Sequence, residues 1–567
     1  MTLRHRLHRV LYVPLDDRPY NQKAPRLLAQ MVDYEMIVPP AEMLGCFRNP
    51  GKPDEIADWT RTHCESGVDC CILSLDMLAY GGLVASCSPG TRTQLALERL
   101  NLLAELRESC PEACIYGFST IMRLGSTTVS DEAAQYVSPL RQYSILAGDI
   151  GESGSGSASR RLAAIQREIP AAVLGEYLAV RKRNHEVNLS LLHDLHARHL
   201  DFLVYAQDAA AERGIHRQEQ AEIAAMAGEL GVSDRTMTVM GADQIGMCLL
   251  ARFVHNHMEK APSIRLCLPS GTARNLVPPS EDRPFMQSIR EQIALIGARE
   301  ASSGSRKADI VLAVNPPAKY DREALHDQAV ATNHRSVSRK FIDDAMEVSR
   351  GRGLAVCDIA FASGADDLFV QELVSATPSL PALLTYAGWN SASNAIGSAL
   401  AHGALRVISL QDKGAFDLVR AVGDMPPLRY LSLLDSLIAS EKAHIRLLVQ
   451  RLSDDWLYQA RVRPRILEHI TEGLRSGLLD LSRGYQQAEA MMRDELTQAV
   501  SDLWIDQFLG RQCVVLGTGG DGEEQTALVL AELEESRLRL PWRRLLEMDM
   551  EIEFGVQLVA AGEVEQP

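Results

Sequence analysis

The sequence predicts an α/β fold of two parallel-sheet units followed by a mostly helical C-terminal region. Three observations carry that expectation. Short β-branched runs alternate with longer helical patterns, as in βαβ units. There are about eleven such runs, more than the eight strands of a single barrel. The chain of 567 residues is also too long for one ordinary core. A (β/α)8-like barrel with additional strands is the rival architecture.

In order, strands are expected at residues 10–15, 34–38, 69–75, 114–118, 202–206 and 237–240. A second set follows at 264–268, 309–314, 354–359, 382–385 and 405–410. Helical spacing lies between them, for example over 92–108, 171–199 and 219–230. The Gly/Ser-rich stretch 151–161 reads as a loop. Beyond Gly423 the rhythm changes, with helical patterns over 427–451 and 464–508 and a strand-like alternation over 538–554. The expected domains are therefore 1–261, 262–425 and 426–567.

Composition narrows the function. Hydrophobic residues at 46% and charged residues at 23% are ordinary for a globular protein. A net charge of -16 argues against nucleic acid and against an anionic membrane surface, both of which need a basic patch. No stretch has the length of a membrane span, and the N-terminus lacks the apolar core of a signal peptide. The 11 cysteines sit mostly in apolar runs, which suggests free thiols in a reducing cytoplasm.

In parallel sheets, ligands bind beyond the carboxyl ends of strands. There this sequence breaks its apolar runs with Asp16, Asp17 and Arg18; with Asp76 and Tyr80; with Arg123; with Gln207 and Asp208; with Asp243; and with Trp389, Asn390 and Asn394. Any one of these Asp residues also makes sense as a helix cap. Several at successive strand ends point instead to one site, because burying many carboxylates without partners is costly. Trp389 beside amides and carboxylates suits the apolar face of a sugar ring, although core packing explains a tryptophan equally well.

Other signals are weaker. Gly517–Gly522 matches GxGxxG, but Asp521, Glu523 and Glu524 would repel a pyrophosphate, and a hairpin turn is the better reading. His193, His196 and His199 recur every three residues, a spacing that drifts around a helix and suits zinc poorly. Arg181, Asn184 and Asn188 share a helix face that reaches a site or is simply polar.

At these motifs the chain resembles a bacterial family, domain of unknown function 4127. The resemblance rests on VPLDDRPYN (13–21), SLDMLAYGGLVAS (74–86), YAQDAAAERGIHRQE (205–219), GADQIGMCLLAR (241–252), ADIVLAVNPP (308–317) and YAGWNSASNAIGSALAHG (386–403). It implies that the strand ends form one site and brings no established activity with it. The family's pattern carries a second acid after Asp208, where this chain has Ala209. That departure argues against a role needing adjacent carboxylates there.

The leading expectation is a hydrolase of a small carbohydrate, a glycosidase using Asp208 and Asp243 as its carboxyl pair. Asp16, Asp17, Arg18, Asp76, Tyr80, Arg123, Gln207, Trp389, Asn390 and Asn394 would bind the sugar. No cofactor is expected in that reading. The alternatives are a divalent-metal hydrolase or lyase with Asp16, Asp17, Asp208 and Asp243 as oxygen ligands, and a non-enzymatic small-molecule binding protein.

Overall fold

The computed structural model describes residues 7–125, 135–153, 156–302, 308–317, 335–350, 352–361, 363–414, 427–469, 484–518 and 525–560. Eleven strands form two separate, wholly parallel sheets, so the barrel alternative is set aside. The first sheet holds β1 (His8–Val13), β2 (Tyr34–Ile37), β3 (Cys70–Ser74), β4 (Cys114–Ile121), β5 (Phe202–Gln207) and β6 (Thr236–Met240). Its order is β2-β1-β3-β4-β5-β6. The second holds β7 (Ser263–Cys267), β8 (Arg299–Glu300), β9 (Ile310–Asn315), β10 (Gly353–Asp358) and β11 (Thr385–Ala387), in the order β11-β10-β9-β7-β8.

Read from the edge, both sheets run second-first-third-fourth-fifth. Each therefore reverses winding between its first and third strands, the place where open α/β sheets bind ligands. The strands form where apolar runs can be covered on both faces: all five residues of CCILS in β3 are buried.

The layer between the sheets is helical. Pro19–Met31 starts with proline, whose fixed φ suits a first helical turn. Ile245–His257 is apolar nearly all round and buries ten of its thirteen residues, as a helix covered on every side must. Ala392–Gly414 packs against both these helices and against β9, β10 and β11. One hydrophobic cluster consequently runs from Val10, Ile72 and Phe118 of the first sheet through Leu249 and Ile396 to Leu312 and Cys357 of the second.

The C-terminal region contains the helix Pro427–Arg451, a π-helix Leu452–Val462, and the helices Arg463–His469 and Tyr485–Gln507. Three antiparallel strands follow, β12 (Gln512–Thr518), β13 (Gln525–Arg539) and β14 (Asp549–Ala560).

Several expectations are corrected. Residues 405–410 are helical, inside Ala392–Gly414, because Ala399, Ala404 and Leu405 complete an apolar helix face. The predicted loop over 151–161 is helical on both sides of residues 154–155, which lie outside the described residues. The helix expected over 92–108 is two helices, Thr93–Leu100 and Leu102–Ser109, meeting at Asn101. Cys64 and Cys110 are joined in a disulfide, against the expectation of free thiols, while nine other cysteines are free. Of the GxGxxG stretch, residues 519–522 lie outside the described residues. No described helix is long and apolar enough to cross a membrane.

Candidate functional site at the strand ends

The two aspartates after β1 diverge. Asp16 turns inward and is 4% exposed, whereas Asp17 is half-buried and accepts from Trp542 Nε1 at 2.6 Å. The reason is local: Asp16 Oδ1 accepts the Arg18 backbone N–H at 3.1 Å, closing a turn just before proline starts the next helix. The Arg18 side chain folds back onto the same carboxylate through Nε at 2.9 Å and Nη2 at 2.7 Å.

Arg18 Nη2 also donates to Asp243, beyond β6, joining two strand ends that lie far apart in the sheet order. Amides complete this charge centre. Asn21 Nδ2 donates to Asp16 at 2.7 Å, and Asn390 Nδ2 donates to Asp243 Oδ2 at 2.8 Å. Asn394 Oδ1 accepts the Asp243 backbone N–H at 3.2 Å. Asn390 and Asn394 follow β11, so the second sheet contributes to the centre built by the first. The chain reaches Asp243 through Gly241, whose φ of +82° lies where a side chain would be strained.

Asp208, beyond β5, has its own guanidinium. Arg123 Nε and Nη2 hold its two oxygens at 2.7 and 3.1 Å, and the Ala209 N–H adds a third bond at 2.8 Å. Burial pushes Asp208 upward, but Arg123 and these bonds outweigh it and leave the carboxyl below its usual range. Asp243 behaves oppositely. Burial raises it, Arg18 opposes, and the charges of Asp16 and Asp208 add to the rise. The two carboxyls thus feel one another and are pushed apart in acidity.

The other predicted residues sort by distance from this centre. Asp76 is buried against Thr120, accepting its N–H at 2.7 Å and its hydroxyl at 2.9 Å, and burial lifts it to about 7. Tyr80 is buried beneath the Arg183 guanidinium, 4.5 Å from its ring centroid. Gln207 is fully buried and donates to the Asp208 carbonyl at 2.7 Å, so it supports the turn and offers no group to a ligand. Trp389 is corrected as a sugar platform: it is 1% exposed, packs against Tyr20 at 4.5 Å and donates to the Leu546 carbonyl. Arg181 and Asn188 brace the end of β4, donating to the Met122 and Thr120 carbonyls respectively at 3.0 Å.

Glu547 escapes sequence reasoning. It is buried, and burial together with Asp16 and Asp243 lifts it to about 8 against the pull of Arg18. Trp542 also escapes, although it lies under Arg18 at 4.9 Å from the ring centroid. Asn21 stands inside the first motif and could have been counted from it. A small cleft opens beside Asp16, Asp17, Gly82 and Trp542, between the ends of β1 and β3. It occupies the winding reversal of the first sheet.

Among the described residues, no group of three or more His, Cys, Asp or Glu side chains is arranged to hold a metal ion. Asp16 and Asp243 instead share a guanidinium, which supplies the positive charge a divalent ion would bring. His196 Nδ1 pairs with the Leu230 carbonyl and His199 with Asp194, each at 2.9 Å, so these histidines have local partners.

A family model described as "Protein of unknown function (DUF4127)" matches residues 10–551, and the chain belongs to that family. Among curated proteins, none matches the chain.

Proposed function

We propose that this member of the DUF4127 family is a hydrolase of a small carbohydrate, a glycosidase with Asp243 as general acid and Asp208 as its ionised partner. One observation carries the reading. Two carboxyls at adjacent strand ends interact electrostatically, and their surroundings displace them in opposite directions. Carboxyl pairs separated in this way divide acid and base roles at one pH.

In this scheme Asp243, raised by burial and by the charges of Asp16 and Asp208, delivers a proton to the leaving glycosidic oxygen. Asp208 stays charged and acts as nucleophile or as base toward water. Arg123, one-third exposed, holds it in orientation. Arg18, Asn21 and Asn390 fix Asp243 and limit its motion. With Trp389 covered, hydroxyl recognition falls to Asp17, Asn390 and the cleft between β1 and β3. The substrate would be a soluble small molecule met in the cytoplasm, a location favoured by nine free thiols and opposed by one disulfide.

The test is turnover of aryl glycosides, N-acetylhexosaminides included, with and without EDTA, by wild type, Asp208→Asn and Asp243→Asn. EDTA-resistant hydrolysis lost in either variant supports the carboxyl pair. EDTA-sensitive hydrolysis transfers the proposal to a metal hydrolase. No turnover of any glycoside by the folded wild type sinks the glycosidase reading.

A further inference from the structure

The strand ends are met from the other side by the C-terminal region, and the contact there contains a buried guanidinium with unpaired N–H groups. Arg451 is 3% exposed and immediately precedes the π-helix Leu452–Val462. Such helices are rare and often mark functional positions. Its Nη2 reaches the Met247 sulfur at 3.8 Å, while Nε and Nη1 have no hydrogen-bond partner among the described residues. A guanidinium does not shed its proton in a protein, so its idle N–H groups are costly to bury unless an acceptor arrives.

Arg451 lines a small cleft together with Tyr20, Gln450, Asp454, Asp455 and Glu547. None of these acids hydrogen-bonds Arg451, although its charge acts on Asp455. Asp455 takes the Gly388 N–H at 2.7 Å, and Asp454 takes Gln459 Nε2 at 3.2 Å and the Met548 N–H at 3.3 Å. Glu547, in the same lining, is lifted by burial to about 8. A buried guanidinium with unpaired N–H groups lining a cleft is a donor set for an oxyanion. Glu547 also feels Arg18, Asp16 and Asp243, so the cleft adjoins the charge centre at the strand ends.

We propose that the Arg451 cleft is a subsite for a single oxyanionic group, carboxylate or phosphate, carried by the substrate. The identity of that substrate as an acidic sugar rests on the glycosidase reading; the anion subsite itself does not. Arg451 holds the anion through Nε and Nη1, and Tyr20 walls the cleft. An acidic sugar anchored there presents its glycosidic bond toward Asp243.

Calorimetric titration of the full chain with glucuronate, inorganic phosphate and glucose tests the subsite. Wild type is expected to bind at least one anion and not glucose. Arg451→Met should weaken that anion about tenfold or more, and Arg451→Lys by less. Glucuronate alone assigns a carboxylate, and phosphate alone assigns a phosphoryl group; both support the subsite. No anion binding by wild type, or affinity unchanged in the folded Arg451→Lys and Arg451→Met proteins, overturns it. If Arg451→Met does not fold, the Lys variant and the anion-against-glucose comparison in wild type decide the matter. Turnover keeps the two proposals apart. Anion binding without any glycoside turnover removes the glycosidase and leaves the subsite. Neutral and acidic aryl glycosides hydrolysed equally well, in wild type and Arg451→Met alike, overturn the acidic-sugar assignment and leave the glycosidase.

Discussion

The two parallel sheets share a strand order but treat their buried acids differently. At the first, Asp16, Asp208 and Asp243 are met by the guanidinium groups of Arg18 and Arg123. At the second, Asp358 is met by amides: Asn315 Nδ2 at 3.0 Å and the N–H groups of Ala360 and Asp366 at 3.2 and 2.7 Å. Burial then lifts Asp358 to about 7, with the Asp366 charge adding. The difference shows that topology places a polar residue at a strand end, while the partners it meets there, guanidinium groups at the first edge and amides at the second, come from elsewhere in the chain. The proposed chemistry belongs to the first edge, and the second holds a turn.

The largest effect should come from the first edge. Asp243→Asn is expected to lower turnover roughly 10²–10⁴-fold with the fold retained, since it removes a positioned acid; near-normal kcat in steady-state assays would place the chemistry elsewhere. Next is Arg18→Met, which leaves Asp16 and Asp243 buried beside one another without their cation. A loss of roughly 3–5 kcal/mol in urea unfolding is expected, and a change under 1 kcal/mol would show that the centre is wetter than it looks.

A pH experiment sharpens the contrast. Glu547 is raised from its ordinary 4.5 to about 8, so its proton is held more tightly folded than unfolded. Its contribution to stability is full below about pH 4.5 and is lost as pH rises toward 8. Glu547→Gln should therefore gain melting temperature relative to wild type between pH 5 and pH 8. A parallel pair of curves would mean that Glu547 is not buried as a proton carrier. The smallest effect belongs to the second edge. Asp358→Asn should cost about 1 kcal/mol, from weakened hydrogen bonds, and leave kcat unchanged. A collapse of kcat on that change would make both edges one catalytic surface.

Much of the fold was legible because buried parallel strands are written as short apolar runs. Residues 405–410 misled for the same reason: a helix covered on all sides is also a continuous apolar run, and periodicity cannot separate the two. The first-sheet part of the site was legible too, since Asp16, Arg18, Asp208 and Asp243 interrupt those runs where the strands end. What lay hidden was partnership. Nothing local tells Arg18 that its second carboxylate is Asp243, or Asp17 that Trp542 will cover it, because both contacts join remote segments. Trp389 misled because an aromatic next to amides has the same composition whether its face is open or packed on Tyr20.

The helix Ile245–His257 also bears on how the chain is made. It leaves the ribosome soon after the sixth strand, yet the helix that covers its back, Ala392–Gly414, begins about 135 residues later (392 minus 257). At about 5–20 residues per second, that interval is roughly 7–27 s. For that time Leu249, Cys248 and Ala251 belong to a nearly all-apolar helix without its cover. That face therefore stays uncovered by Ala392–Gly414 until the second sheet has been synthesised.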